Sequence, residues 1–565
     1  MSLFGAIRIG ANTLMADQIA LQVIGQNIAN ANTPGYLREE IVLTPAPTQR
    51  MGKLLLGMGV QVEAVIQKVD ALLEERLRGS VAEQASSDTQ QAAYMQLESV
   101  LAELTEIDLS TAMNNFFGSV AEILNQPQSV SIRNLAVLQG KSLALQVRRI
   151  DDRVTQIRND FNDRIGSMAE DINRLIEEIR TLNVRIAETE GGTVTNSDAV
   201  GLRDQRLVAL ESLARLIDIR TEEQPSGTVT VYSHGTFLVC DGIARFVQAV
   251  HSTENGRPKA DIRLAETDMS LDPSAGELHG LIAARDDILD GFLDSFNDFA
   301  RTLALEFNKV YSGGQGLTGF QELTSEFAAA ATDQPLNIAG LPFTPSNGAF
   351  QILVHDTRTG LTRTTDVRVN LSGLGRQTTL ADLAAAISAI PGLSASIGAG
   401  RKLTIRSNAV DQTFAFANDT SGVLAALGLN TFFSGSTSGD LGVSAVLQGD
   451  PAKFAASRGG IGLDAANAAD LASFRDRPLA SQGGASLDVL YDRLASAVTQ
   501  GSAVARAAAQ GAEIFAQTLR AHKMAISGVS IDEEAMRMIA FQRSFQAAAR
   551  FIKTASDLLE LLVSL

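Results

Sequence analysis

The sequence is poor in residues that cross-link chains or bind metals. It has one cysteine, Cys240, no tryptophan and five histidines among 565 residues. A single cysteine cannot form a disulfide within the chain, and its place after a β-like run over 228–239 predicts a buried, unreactive thiol. None of the histidines has the i, i+4 spacing of a helical metal site. We therefore expect no metal and no other cofactor.

Long apolar runs and basic tracts are also missing. No stretch approaches the ~18 consecutive apolar residues that a membrane-spanning helix needs. Arg8 and Asp17 interrupt the N-terminal apolar residues, so we expect no cleaved signal peptide. A net charge of −17 argues against nucleic acid as a partner. The sequence thus predicts neither a membrane nor a nucleic-acid partner.

What the chain does have is a globular composition and enough length for several domains. Hydrophobic residues make up 45% of it and charged residues 20%, which is typical of a folded protein. A chain of 565 residues exceeds what one core usually organises. We therefore predict a multidomain protein.

The N-terminal segment predicts an amphipathic helix that ends at a sharp turn. Its apolar seam consists of Phe4, Ile7, Leu14, Leu21, Ile24 and Ile28, mostly spaced by seven residues. A turn motif follows at once, containing Asn27, Asn30, Asn32, Thr33, Pro34, Gly35 and Tyr36. Asparagine, proline and glycine in this order end a helix, because they favour caps, extended geometry and positive φ respectively.

The C-terminal segment predicts a second amphipathic helix. Ser530 and Glu533 have the spacing of a capping box at its start. Two heptad series follow, the first containing Ile531, Met538, Phe545, Ile552 and Leu559, and the second Phe541, Ala548, Ala555 and Leu562. Two such helices at opposite ends of a chain can pair, or each can pack on an ordinary globular core. Periodicity alone leaves both possibilities open.

The two terminal motifs resemble those of the bacterial flagellar rod, hook and hook-associated axial proteins. The matching segments are Asn27–Tyr36, Gly528–Glu534 and Phe541–Phe545, with further similarity at Leu202–Glu211 and Gly276–Arg285. The resemblance implies a structural subunit that lies between hook and filament and assembles through its terminal helices. On this basis the apolar residues of both helices are candidate assembly contacts.

The same resemblance implies partners and a location. The expected partners are the hook protein, a second hook–filament junction protein, like subunits in a ring, an export chaperone at the C-terminal helix and the flagellar type III export apparatus. The expected location is the flagellum outside the cell, reached without a cleaved signal peptide.

The middle of the chain predicts an α+β protein with a helical stem and outer β-rich modules. Heptad-spaced residues from Val147 to Ile186 indicate one long helix, and a loop is predicted near Thr105 to Thr111. A further helix is predicted from Leu278 to Tyr311. Strands are predicted at 350–354, 367–371, 403–405 and 414–417. We predict four domains: 1–40 with 520–565 as paired, coiled-coil-like termini; 41–217 with 276–325 and 455–519 as the stem; 218–275 as a β-rich domain; and 326–454 as an outer insert that resembles the flagellin hook motif.

No arrangement of catalytic residues emerges, so we predict that the protein is not an enzyme. Gly314–Gly319 spells G-x-G-x-x-G, but it follows a predicted helix, whereas a dinucleotide site needs a preceding strand. Two alternatives remain: another axial structural protein from the hook or distal rod, or an enzyme or adhesin carried on an axial scaffold. The predicted long helix ending at Ile186 favours the junction subunit over the first alternative.

Overall fold

A computed structural model of the chain describes residues 3–102, 108–191 and 197–564. The chain divides into two compact units. The first contains residues 1–93, 159–287 and 503–565, and the second contains residues 94–158 and 288–502. Each unit is therefore built from segments that are far apart in the sequence.

Helices dominate the described chain. Their bounds are α1 Leu3–Asn30, α2 Ala71–Ala102, α3 Leu109–Asn125, α4 Val130–Glu190, α5 Val200–Leu216, α6 Glu277–Ala283, α7 Asp290–Ser312, α8 Leu380–Ser388, α9 Val423–Leu427, α10 Ala445–Gly449, α11 Ala466–Ala472, α12 Leu487–Ser527 and α13 Ile531–Ser564. A π-helical segment, Ala284–Leu289, separates α6 from α7. Three short 3-10 turns lie at Pro451–Lys453, Phe474–Asp476 and Ala480–Gln482.

The strands of the first unit form four small antiparallel sheets. Their bounds are β1 Glu39–Pro45, β2 Gln49–Met51, β3 Leu54–Leu56, β4 Val60–Gln67, β5 Arg220–Glu223, β6 Val229–Ser233, β7 Thr236–Cys240, β8 Ile243–Ala244, β9 Val247–Glu254 and β10 Arg257–Leu264. The pairings are β1 with β4, β2 with β3, β9 with β10, and β5-β6-β7-β8 in that order. A bulge at Val42 and Leu43 shifts the register between β1 and β4.

Asparagine side chains of α4 dock these strands onto the helix in the first unit. Asn183 donates to the Val229 carbonyl at 2.7 Å and accepts from the Val229 amide at 3.1 Å. Asn173 makes the same two bonds to Val247, both at 2.8 Å. A side-chain amide thus replaces a neighbouring strand, which satisfies buried backbone groups where each sheet meets the helix.

The second unit contains a cluster of packed aromatic rings. Phe307 of α7 lies with its ring centroid 5.4 Å from that of Phe116, 5.5 Å from that of Phe432 and 5.3 Å from that of Phe433. All four side chains are fully buried. Asn308, next in the chain, accepts from the amides of Phe432 and Phe433, each at 3.0 Å, which holds the loop that carries these two rings.

The β strands of the second unit enclose a separate apolar core. Their bounds are β11 Glu322–Thr324, β12 Gly348–Asp356, β13 Thr362–Val369, β14 Leu393–Ile397, β15 Leu403–Ser407, β16 Gln412–Ala417, β17 Phe433–Ser434 and β18 Gly442–Val443. The sheets are β13-β12-β16, β11-β15-β14 and β17-β18. Helix α8 begins with a capping box between Thr379 and Asp382 and contributes Leu383 and Ile387 to this core.

The predicted α+β class with long terminal helices is confirmed. The long helix predicted to Ile186 is confirmed as part of α4, which is continuous over 61 residues. The loop predicted near Thr105 to Thr111 lies partly outside the described residues. The four predicted domains stay a prediction.

Three details of the sequence interpretation need correction. The β run over 228–239 is a hairpin, because His234 and Gly235 both have positive φ and turn the chain between β6 and β7. Cys240 is half-buried, not buried. The helix predicted from Leu278 to Tyr311 is interrupted by the π-helical segment, whose Arg285 is fully buried.

Within the described ranges, no helix is both long and apolar enough to span a membrane. The same ranges contain no group of three or more His, Cys, Asp or Glu residues that could hold a metal ion.

Candidate assembly site at the paired termini

The two terminal helices pack against each other in antiparallel orientation within the first unit. Two contacts define the orientation, because position falls along α13 as it rises along α1. Gly10 lies against Ile552, and Asn27 donates to Glu534 Oε2 at 3.2 Å. A Cβ atom at Gly10 would lie 2.5 Å from Ile552 Cγ1, so the glycine is what lets the isoleucine approach the helix backbone.

The most deeply buried stripe of α1 is made mostly of small and polar residues. Its buried residues are Gly10, Ala16, Asp17, Ala20, Val23, Ile24 and Asn27. On α13 the buried residues are Glu534, Ala548 and Ala555. Small side chains on both helices allow close approach, and the larger side chains surround this contact.

The predicted apolar contacts lie around that stripe with different degrees of burial. On α1, Ile24 is buried, Phe4 is exposed, and Ile7, Leu14, Leu21 and Ile28 are half-buried. On α13, Ala548 is buried, and Met538, Phe541, Ile552 and Leu559 are half-buried. Ile531, Phe545 and Leu562 are exposed. The structure brings the two predicted series together but leaves several of their largest side chains open.

The turn motif ends α1 as its residue types predict. Thr33 donates its amide to the Asn30 carbonyl at 2.9 Å, and Gly35 has a φ of 81°. Asn32, Thr33, Pro34 and Gly35 are exposed, while Asn30 and Tyr36 are half-buried. A Cβ at Gly35 would also collide with Val208 of α5, so both the φ value and the space require glycine here.

A buried polar cluster joins this turn to the start of α13. We define it as Asn27, Tyr36, Arg38, Glu39 and Glu534. Arg38 Nε donates to Glu534 Oε1 at 2.9 Å, and Arg38 Nη2 lies 2.7 Å from the same oxygen. The side chains of Arg38 and Glu534 are only 5% and 1% exposed, so this ion pair is desolvated and each charge depends on the other.

Asn27 is the hub of the polar cluster. Its Oδ1 accepts from the Tyr36 hydroxyl and from the Glu39 amide, both at 2.9 Å. Its Nδ2 donates to the Glu39 carbonyl at 2.9 Å as well as to Glu534. One amide thus ties the end of α1, the start of β1 and the first turn of α13 together, and replacing it would leave several buried groups unpaired.

Burial also shifts the pKa of a carboxyl within the polar cluster and of one beside it. Burial raises the pKa of Glu39, and a hydrogen bond from Tyr36 offsets part of that rise. Burial also raises the pKa of Asp204 to about 6, although the Gln67 side chain and the Leu37 amide donate to it. The site is therefore sensitive to protonation between the ordinary aspartate pKa and neutrality.

Another buried carboxyl lies midway along the helix pair. Asp17 of α1 is 4% exposed. Burial raises its pKa, and the Ser544 hydroxyl of α13, acting as a hydrogen-bond donor, offsets part of the rise. Its Oδ2 meets no hydrogen-bond partner among the residues that the structure describes. A carboxyl in this state costs stability.

Sequence reasoning missed Gly10, Asp17, Arg38 and Glu534, although a signal for Glu534 was present. Counting seven residues back from Phe541 along the second heptad series gives Glu534, a charged residue in a seam position. A charge at such a position requires a buried partner. The sequence interpretation considered only the apolar members of the two series.

Comparison with known protein families identifies three matching segments. Residues 94–327 match the flagellar hook-associated protein FlgK helical domain. Residues 522–565 match the flagellar basal body rod FlgEFG protein C-terminal family, and residues 7–36 match the flagella basal body rod protein family. The two rod-type matches include all of α13 and the greater part of α1, respectively.

Individual relatives agree with these matches. The chain is 23% identical to flagellar hook-associated protein 1 of Escherichia coli over 98% of each chain. It is 29% identical to flagellar hook-associated protein 1 of Bacillus subtilis over 234 residues, which are 40% of this chain and 45% of that protein. The flagellar hook junction protein FlgK from Burkholderia pseudomallei has a similar fold, with a TM-score of 0.51 at 15% identity, covering 80% of this chain and all of that one.

Proposed function

Because the chain belongs to the flagellar hook-associated protein 1 family, we propose that it is the structural subunit that joins hook to filament in the bacterial flagellum. One observation carries the proposal beyond the family: the two rod-type segments at opposite ends of the chain meet as one antiparallel helix pair. The role that we assign to this pair is assembly.

The outward surface of the helix pair supports an assembly role. Its large exposed apolar side chains are Phe4 and Met15 on α1 and Ile531, Met536, Ile539, Phe545, Phe551, Leu558, Leu561, Leu562 and Val563 on α13. Extended apolar surface of this kind marks sites of protein interaction. We assign it to like subunits in a ring, to the hook protein and to a second hook–filament junction protein.

The same exposed surface needs cover before assembly, and we assign that cover to an export chaperone. An amphipathic helix such as α13 fits the helix-in-groove mode of recognition, in which residues three and four apart serve as anchors. Export through the flagellar type III apparatus without a cleaved signal peptide would then bring the chain to the flagellum.

Localisation of the labelled protein on isolated flagella tests the proposed junction role. We expect one band between hook and filament. Label along the whole hook or in the rod would instead assign the chain to another axial protein, and label on the filament surface alone would favour an adhesin carried on the scaffold.

Calorimetric titration of the chaperone with two shortened chains tests the export step. A chain that ends at Gly528 lacks α13, and we expect it to lose chaperone binding. A chain that lacks residues 342–446 keeps α13, and we expect it to bind with unchanged affinity. Equal affinity of the intact chain and the chain ending at Gly528 would contradict the proposal.

A further inference from the structure

The buried carboxyl of Asp17 is unexplained by the apolar packing of the helix pair. It lies in the stripe of α1 that faces α13, seven residues after Gly10 and seven before Ile24. Both of those neighbours are apolar or small, and an apolar residue at this position would continue the stripe. The chain instead carries a group that is costly to bury and that is only partly satisfied by Ser544.

We propose that Asp17, through Ser544, is a specificity-determining residue that selects the register of the α1–α13 pair and so the helix that can pair with α1. The inference deepens the proposed function and rests on it only for pairing between neighbouring copies. Within one chain it rests on the observed helix pair alone.

The first heptad series of α13 cannot select this register by itself. The apolar residues of α13 repeat every seven positions, so a shift of α13 by one heptad brings Leu559 to the level of Ile552 and Ile552 to that of Phe545. Such a shift in the direction of the C-terminus would still leave nearly all of α1 opposite helix. Along this series, two registers therefore present similar large side chains to α1. In the second series, Leu562 would take the place of the buried Ala555, so packing there opposes the shift together with the polar residues.

The polar residues do distinguish these registers. After the shift, Phe551 would lie at the level where Ser544 now meets Asp17, and Phe541 would lie where Glu534 now meets Asn27. The Asp17 carboxyl would then be buried against an aromatic ring without a hydroxyl donor. A shift in the other direction would carry the end of α1 past Ile531, where α13 begins, and lose paired length.

Buried polar groups are known to act in this way in coiled coils, where a single one fixes register at a cost in stability. The cost here is that Oδ2 of Asp17 is buried without a hydrogen-bond partner within residues 3–102, 108–191 and 197–564. The same reasoning extends to partner choice, because any helix that pairs with α1 must offer a hydroxyl or another donor at this level.

Pulsed electron-spin distance measurements on the isolated full-length chain test the proposal. Spin labels replace Ala11 and Met536, which are exposed, in a chain where Cys240 is changed to serine. These sites are offset along the helix axis, so a heptad shift toward the C-terminus lengthens their separation by about 10 Å. A second background with Arg38→Met and Glu534→Leu removes the ion pair that also fixes the register.

In the second background, a chain that retains Asp17 is expected to give a single distance between the two spin labels. Asp17→Leu is expected to add a second population about 10 Å longer, without lowering the thermal midpoint. Asp17→Asn keeps a hydrogen-bonding group and should retain the single distance. Gln18→Leu makes a similar polar-to-apolar change on the exposed side and serves as the matched control.

A single unchanged distance for Asp17→Leu in both backgrounds would overturn the proposal. So would a second population in the Gln18→Leu control. Because the distances are measured on unassembled protein, this result is independent of where the protein lies on the flagellum, and the two proposals can fail separately.

Discussion

The aromatic cluster of the second unit and the helix pair of the first unit place their large apolar side chains in opposite ways. Around Phe307, the rings of Phe116, Phe432 and Phe433 are all fully buried. In the helix pair, small and polar residues occupy the buried stripe, while Phe545, Phe551 and Leu558 of α13 are 37%, 48% and 48% exposed. The first arrangement stabilises the folded chain, and the second leaves large apolar side chains exposed.

Truncating the aromatic cluster should have the largest effect on the isolated chain. Phe307→Ala removes a ring that contacts several others, and large-to-small changes of this kind cost about 3 to 5 kcal/mol. We expect a clear fall in the free energy of unfolding, measured by chemical denaturation. Because Phe307 lies outside the helix pair, a loss below about 1 kcal/mol would contradict the contrast between the two regions.

Breaking the buried ion pair should have the next largest effect, because it is the part of the helix pair that resembles a core. Arg38→Met leaves Glu534 buried without its cation, and we expect destabilisation of about 3 kcal/mol, since Asn27 still donates to the carboxylate. Denaturation of the variant gives the value.

The matched control is the double variant Arg38→Met with Glu534→Leu. It removes both charges together, and replacing buried pairs by apolar residues is often neutral or stabilising. We therefore expect it to recover most of the lost stability. A double variant as unstable as the single one would show that the hydrogen bonds of Asn27, and not charge pairing, hold the turn after α1 against the start of α13.

The free energy of unfolding measured as a function of pH distinguishes the contribution of Asp204 from that of the Arg38–Glu534 ion pair. Its pKa of about 6 lies above the ordinary aspartate value of about 3.9. Between these values the folded chain holds a proton that the unfolded chain has lost, so this group's contribution to stability falls as pH rises from about 4 to 6. Above that range the penalty is constant.

Asp204→Asn should remove this slope and leave the variant more stable relative to the parent at pH 7 than at pH 4, by about 2 kcal/mol. Asp160→Asn, which changes an exposed carboxyl, is the control. Identical pH profiles for the Asp204 variant and the parent would show that Asp204 titrates alike in both states.

Sequence reasoning predicted the elements of the helix pair better than its contact. The end of α1 near Asn30 and the start of α13 at Ile531 follow from the turn motif and the capping residues. The buried stripe through Gly10, Asp17 and Asn27 does not, because an apolar pattern ignores small and polar side chains. Their burial depends on a partner more than 500 residues away, as in the Asn27–Glu534 bond.

The β modules illustrate a second limit. Strand β14, Leu393–Ile397, was not predicted, because its alternating serine and alanine residues carry little β preference. It is a strand because β15 pairs with it from Leu393 to Ile397 and because Leu393 enters the apolar core. The tertiary pairing, and not local preference, decides its structure.

The smallest effect on stability, with the largest effect on assembly, is expected for Phe545→Ala. Phe545 lies on the first heptad series of α13 but is 37% exposed in the isolated chain, so its removal should change the free energy of unfolding by less than about 1 kcal/mol. If this ring fills a pocket on a neighbouring subunit, its loss removes a buried aromatic contact from the assembled state, where such residues dominate binding. We therefore expect a nearly unchanged thermal midpoint together with loss of incorporation into flagella, measured by complementation and by blotting of purified flagella.

Ile539→Ala truncates another exposed side chain of α13 outside both heptad series and tests whether the effect is specific to the seam. A Phe545 variant that melts early would place this ring in the core of the isolated chain, and the distinction between the two regions would then fail.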